Sequence, residues 1–150
     1  MSVPTVPRPA SRHEGGQALV EFVLVLPFLA LLLFGVVDFT RALHHWSDMN
    51  QMAAVGARTA AVNGNPGDAD GLTLQEWILA KSDSGFVEDN ATVRICQPDG
   101  DALGAPVEVQ VAADYAFLNI LGLGTTTISG GATMRMEARA TEYTPDGGCT

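Results

Sequence analysis

Ala18–Val37 reads ALVEFVLVLPFLALLLFGVV, an apolar run in which Glu21 is the one ionisable residue. Wound as a helix, about 20 residues cover about 30 Å, the thickness of a bilayer's hydrocarbon core. A buried helix of a soluble protein would need apolar partners on every side, and the rest of a 150-residue chain offers few. The run is also too long for an ordinary strand. A secreted protein cut by signal peptidase fits poorly, because Val37 is followed by Asp-Phe-Thr-Arg rather than a small-x-small site. The run is therefore read as a membrane span from about residue 18 to 37.

Working outward, Met1–Gly16 holds three prolines, Arg8, Arg12, His13, one acid and a closing Gly15-Gly16 pair. Nothing there can bury a core, so an extended leader is expected. Past Val37 the helical period continues through DFTRALHHWSDMNQMAAVGARTAAV. Phe39, Leu43, Trp46, Met49, Met52/Ala53 and Gly56 or Ala60 form an apolar stripe, with Asp38, Arg41, His45 and Asp48 on another face. Asp38–Arg41 and His45–Asp48 are expected as surface pairs worth a few tenths of a kcal/mol. One helix from about Gln17 to Val62, about 70 Å long, is expected, first membrane-embedded and then amphipathic. Asn63-Gly64-Asn65-Pro66-Gly67 ends it.

Residues 68–150 are the candidate head. Leu72–Ala80 is expected as a short amphipathic helix. Thr92–Cys96, Val107–Val111 and Thr133–Ala140 each alternate apolar with polar residues, as strands of an antiparallel sheet covered on one face do. Tyr115–Leu123 is expected as a bent strand end or a packed loop. The natural cover for the sheet is the amphipathic half of the long helix. The expected class is α+β: a long amino-terminal transmembrane-to-amphipathic helix packed against a small antiparallel sheet. So small a head needs the helix, a disulfide or neighbouring subunits for stability.

Charge narrows the partners. Seventeen acids against eight bases give a net charge of -9, which repels nucleic acid and anionic head groups. Arg8 and Arg12 before the span outnumber Arg41 after it, which places the amino terminus in the cytoplasm and the acidic head outside. In that oxidising compartment a Cys96–Cys149 disulfide is expected. It would close a loop of about 54 residues and stabilise by roughly 2–4 kcal/mol; two free thiols are the alternative.

Enzyme signatures are missing. His13, His44 and His45 cannot easily share a metal, and HExxH, GKS/GKT and GxSxG do not occur. Asp68-Ala69-Asp70-Gly71 and Asp99-Gly100-Asp101 lack the remaining ligands of an EF-hand. No cofactor, no metal and no catalytic residue is expected.

The junction Gly15–Phe22 carries the chemistry. Gly16 is a small residue at the edge of the span, where a membrane protease meets no side chain. Cutting there frees the amine of Gln17. Glu21 is costly in lipid unless paired, and about 6 Å along the helix from Gln17 it is poorly placed for its own chain's amine. Between staggered chains the amine of one can meet the carboxylate of the next. Pro27 cannot donate to the Val23 carbonyl and should loosen the helix. Looseness would help a subunit leave the bilayer; an ordinary transmembrane proline is the other reading.

GGQALVEFVLVLPFLALLLFGVVDFTRAL (Gly15–Leu43) resembles the amino-terminal signature of TadE-like proteins, minor pseudopilins of the tight-adherence (Flp-type) pilus, and shares the logic of type IV pilin-like proteins. The resemblance implies that Gly16 is the last leader residue and Gln17 the new amino terminus. It gives Glu21 and the adjacent aromatic Phe22 roles in assembly. It implies a non-catalytic subunit whose partners are membrane lipid, a prepilin-peptidase-like protease and other pilin-like subunits. An uncleaved single-pass anchor with an acidic interaction head is the alternative.

Overall fold

The computed structural model describes residues 14–117 and 124–146. Most of the expected leader (residues 1–13), the end of the Tyr115–Leu123 segment (118–123) and Cys149 lie outside the described residues. The chain divides into two compact units, Met1–Val37 and Asp38–Thr150.

Helix α1 (Glu14–Ala61) runs unbroken through Pro27. It starts three residues before the expected Gln17, since Gly15 and Gly16 weaken a helix by about 1 kcal/mol each without stopping it. In the first unit its side chains are exposed; the most apolar window, of mean hydropathy 2.7, has no buried residue. It is the single helix among the described residues long and apolar enough to cross a membrane.

In the second unit, a 3-10 turn (Asp68–Asp70), α2 (Leu74–Leu79) and α3 (Gly85–Asn90) lead into three strands: β1 (Ala91–Cys96), β2 (Pro106–Ala116) and β3 (Thr125–Arg135). They form an antiparallel sheet in the order β1-β2-β3, with Ile95 opposite Val109 and Val111 opposite Gly130. Alternate residues Val107, Val109, Val111, Ala113 and Tyr115 turn inward along β2. Met49, Met52, Ala53, Ala57 and Ala60 of α1 cover them, joined by Leu74, Ile78 and Val87.

Small residues let helix and sheet approach closely. A Cβ on Gly130 would lie 2.6 Å from the Asn50 backbone nitrogen. One on Gly56 would lie 2.6 Å from Ile78 Cδ1 and 3.2 Å from Val109 Cγ1.

The helix ends on an asparagine. Asn63 adopts φ 57°, its N–H donates to Ala60 O and the Gly64 N–H donates to Thr59 O. These are the two bonds of a Schellman cap. The left-over Ala61 carbonyl accepts from the amides of Glu137 and Ala138, at 2.7 and 3.2 Å.

That capture corrects the expected third strand. Thr133–Ala140 alternates like a strand, but the carbonyl at the end of α1 takes its amides after Met136. The paired strand is Thr125–Arg135, most of which is a run of Thr, Ser and Gly without strand-like alternation. Helix α3 was likewise not expected.

The amphipathic reading of α1 also needs correction near the span. Phe39, Leu43 and Trp46 are 57%, 47% and 50% exposed, outside the core. Ala42 and Asp48 are buried instead, and His45 is half-buried.

Cys149, the expected disulfide partner of Cys96, lies outside the described residues, so no pair of cysteines is described. Cys96 closes β1, buried and not a free thiol. Hydrogen bonds hold the carboxy-terminal segment there: Asp146 N–H donates to Ile95 O at 2.6 Å, and its Oδ2 accepts from the Ile95 N–H at 2.9 Å.

Candidate functional site

The residues singled out at the membrane junction lie on the first turns of α1. The Gly16–Gln17 peptide bond falls inside the helix, and a Cβ added at Gly16 would meet nothing within 4 Å. Packing within the chain therefore gives no reason for glycine at that position. Gln17 and Glu21 sit one turn apart, with Gln17 Nε2 3.4 Å from Glu21 Oε1. This long, exposed contact is the one partner the described structure brings to the Glu21 carboxylate. Phe22 lies 62% exposed on the next face. Pro27 sits in the exposed part of the helix. The structure thus brings Gln17 and Glu21 together and joins neither to Phe22 or Pro27.

A second constellation begins where the apolar run ends, and sequence reasoning did not assemble it. Tyr115, near the end of β2, donates its hydroxyl to Asp38 Oδ1 at 2.7 Å. His45 Nδ1 lies 2.9 Å from Ser84 Oγ. Asp48 Oδ2 accepts from Ser82 Oγ at 2.6 Å. Ser82 Oγ in turn accepts from the Ser84 N–H. The rings of His45 and Phe86 lie 4.7 Å apart, and Tyr115 stands edge-on to Phe86 at 5.5 Å.

The carboxylates that were expected to make pairs on the helix surface also reach into the head. The recurrence of Asp38, His45 and Asp48 was the available signal. Its partners Ser82, Ser84 and Tyr115 are 34 to 77 positions away in the chain, with no motif to mark them.

Electrostatics follow from this burial. Desolvation, and next the neighbouring His44, hold the His45 imidazole below its ordinary range; Asp48 opposes them. Desolvation first and the Asp38 carboxylate second push the Tyr115 phenol up to about 12. The network binds helix to head through neutral hydroxyls and carboxylates. It has the parts of a latch. Among the described residues no group of three or more His, Cys, Asp or Glu side chains could hold a metal ion. The two acidic loops hold no such group either.

Residues 16–58 match the family model described as TadE-like protein. Over those residues, under a third of its length, the chain is similar to the TadE-like family. No curated protein and no solved structure matches the chain. The TadE-like segment opens at Gly16 and takes in Glu21, the latch residues Asp38, His45 and Asp48, and most of the α1 face beneath the sheet. The three strands lie beyond it.

Proposed function

We propose that this chain is a non-catalytic, membrane-anchored pseudopilin-like subunit of an adhesion pilus or a related envelope complex. Its amino terminus lies in the cytoplasm and its acidic head outside. A prepilin-peptidase-like protease cuts between Gly16 and Gln17, and the freed helix packs against other pilin-like subunits. Glu21 pairs with the Gln17 amine of a neighbour, Phe22 packs beside it, and Pro27 loosens the helix for its passage out of the bilayer.

The observation that carries this reading is Gly16 itself. It opens the TadE-like match, it weakens the helix by about 1 kcal/mol relative to alanine, and no packing contact accounts for it. A protease that needs an unobstructed peptide accounts for both. The wholly exposed apolar helix adds that this surface is covered by something outside the chain, lipid or other subunits.

One observation favours the second reading, an uncleaved anchor with an interacting head: the Gly16–Gln17 bond lies within α1, where a protease must first unwind a turn. Mass spectrometry of the protein extracted from membranes containing the peptidase separates the two. A terminus at Gln17 supports processing, and an intact Met1 under those conditions leaves the uncleaved anchor. Glu21→Ala should insert normally and lose cross-linking to pilin-like partners; unchanged cross-linking would remove that role for Glu21.

A further inference from the structure

Two unfilled features of the head lie side by side. The first is the outer edge of β3. Met136 N–H donates to Ala105 O at 2.9 Å, and Met136 O accepts from Gly104 N–H at 2.8 Å. The two-residue period of an antiparallel pair then turns the even-numbered residues of β3 toward β2. Pro106, which has no N–H to give, accordingly stands opposite the odd-numbered Arg135. Odd-numbered residues from Thr125 to Arg135 point their N–H and C=O groups outward and are exposed. Those groups have no backbone partner among the described residues.

The second is the apolar row Phe39, Leu43 and Trp46, each about half exposed. One turn on, the row continues into Asn50, whose backbone lies against Gly130 of β3. His45 and Asp48 meet Ser84 and Ser82 on another side of the helix. Row and edge therefore share one flank of the head, and an added strand would touch both.

We propose that this flank takes an extended segment of a different protein, added to β3 as a fourth strand with alternate apolar side chains turned onto Phe39, Leu43 and Trp46. Main-chain bonds to the edge would give affinity, and the row would select the side chains. Three observations choose that occupant.

The first is an unguarded edge. Edge strands are normally protected by short length, charge, proline or a bulge. β3 pairs one-to-one with β2 over all 11 positions, and its one charged residue, Arg135, is its last. Lipid would cover the apolar row but has no amides for the ladder groups.

The second is charge. The chain carries a net charge of -9, yet neither Thr125–Met136 nor the row holds an acid. This uncharged stripe matches an uncharged strand of alternating apolar residues.

The third is direction, which argues against a second copy. Asp38 lies by Tyr115, the partner of Thr126; Asn50 lies by Gly130, and Ala61 by Glu137. α1 thus runs the same way as β3. An antiparallel β3–β3 pair would oppose the two α1 helices, which copies anchored in one membrane by the same end of α1 cannot do. The β1 edge is already held at Ile95 by Asp146.

This surface needs neither cleavage after Gly16 nor pairing at Glu21. The test uses the full chain in detergent, with a fluorescent peptide, acetyl-Ser-Thr-Val-Thr-Val-Thr-Val-Thr-Ser-amide, as the probe. Anisotropy should report saturable binding, at least tenfold tighter than for the same peptide with its valines replaced by prolines. Hydrogen exchange should slow at least tenfold at the amides of Thr127, Ser129, Gly131 and Thr133. Ser129→Pro removes one outward N–H, spares the bonds to β2 and should weaken binding at least tenfold. Ser129→Ala keeps that N–H and should bind unchanged. Leu43→Lys should weaken binding at least tenfold, and Glu21→Ala should leave it unchanged.

No saturable binding, or equal binding by Ser129→Pro and Ser129→Ala, would overturn the proposal. So would disulfide-linked homodimers of Thr127→Cys in native membranes, absent from the unsubstituted chain, because the edge would then belong to a second copy. Quenching of Trp46 by brominated lipid, absent in Trp46→Phe, would give the row to the membrane and overturn it too. If the peptide binds while Met1 stays intact in membranes containing the peptidase, the strand site stands and the processing reading fails. If Gln17 is the amino terminus and the peptide does not bind, processing stands and the strand site fails.

Discussion

The hydroxyl of Tyr115 donates to the Asp38 carboxylate across 2.7 Å, so the first residue after the apolar run is held by the far end of the central strand. The pair joins positions 77 residues apart. It fixes which face of α1 turns to the head at the point where the chain leaves the span.

Tyr115→Phe removes that bond while keeping the ring against Phe86. The expected cost is about 1–2 kcal/mol, the range for a hydrogen bond to a charged group that retains some access to water. There is also an alkaline signature. The folded phenol keeps its proton to about pH 12, whereas an unfolded tyrosine releases its proton near 10.0. The folded state therefore binds more protons in that window, and its stability falls as pH rises from 10 to 12. Thermal unfolding of the full chain in detergent should show a steeper alkaline loss in the unsubstituted protein than in Tyr115→Phe. Equal slopes would refute the role of this phenol.

His45 gives the opposite sign at the acidic end. Its proton affinity is lowered in the fold by burial and by His44, so the unfolded chain binds the extra proton first. Stability is then fully present above pH 6.5, the ordinary value for histidine, and is lost as pH falls below it. The side chains facing the imidazole are Ser84, Phe86 and Tyr115 from the head and Asp48, His44 and Arg41 from its own helix. Of these, Asp48 favours the proton and softens the effect. His45→Gln, which can still bond Ser84, should flatten the melting temperature between pH 7 and 5.5. A profile that stays as steep would mean that another group carries the acid sensitivity.

Gly130 and Gly131 are neighbours with unlike fates. Gly130→Ala drives a methyl into the backbone of α1 at Met49 and Asn50, which cannot swing aside. A cost of about 2–3 kcal/mol is expected. Gly131→Ala meets Val109 O at an ordinary 3.7 Å, and should be neutral or stabilising by about 0.5 kcal/mol through the unfolded chain. Chemical denaturation of both variants checks the pair. Comparable losses would mean that β3 and α1 are not packed at this point.

What the sequence revealed depended on the distance over which the physics acts. The span and the length of α1 follow from a local period and the absence of breakers, and both can be read in the chain. The valines of β2 alternate because one face is buried, so that strand was legible too. Phe39, Leu43 and Trp46 have the right spacing for a core stripe, but spacing does not say which of two faces meets the head. Tyr115, Ser84 and Ser82 decide that, and they are remote in sequence. The true β3 was hidden because Thr125–Gly131 pairs through its backbone and carries few apolar side chains. Of the candidate site, Gly16, Gln17 and Glu21 stand out by chemical oddity. The latch at His45 has no motif and emerges only when the chain is folded.

Asn63 does two jobs at once. Its backbone closes α1 in the left-handed conformation. Its side chain holds the carboxy-terminal segment: Oδ1 accepts from the amides of Thr141 and Glu142 at 2.7 and 3.0 Å, and Nδ2 donates to Thr141 Oγ1 at 2.8 Å. The two jobs can be separated by substitution. Asn63→Gly keeps the backbone at ease and loses the three side-chain bonds, which are exposed and together are worth about 1–2 kcal/mol. Asn63→Ala loses them as well and adds about 1 kcal/mol for a Cβ in the left-handed region. The order of stability should therefore be Asn, then Gly, then Ala, measured by denaturant midpoints at constant slope. Hydrogen exchange gives a local check, since the amides of Thr141 and Glu142 should lose protection in both variants while those of β2 keep theirs. If Asn63→Gly leaves the two amides protected, the segment is held by something other than this side chain. The Asp146–Ile95 hydrogen bonds on β1 would then be the next to test.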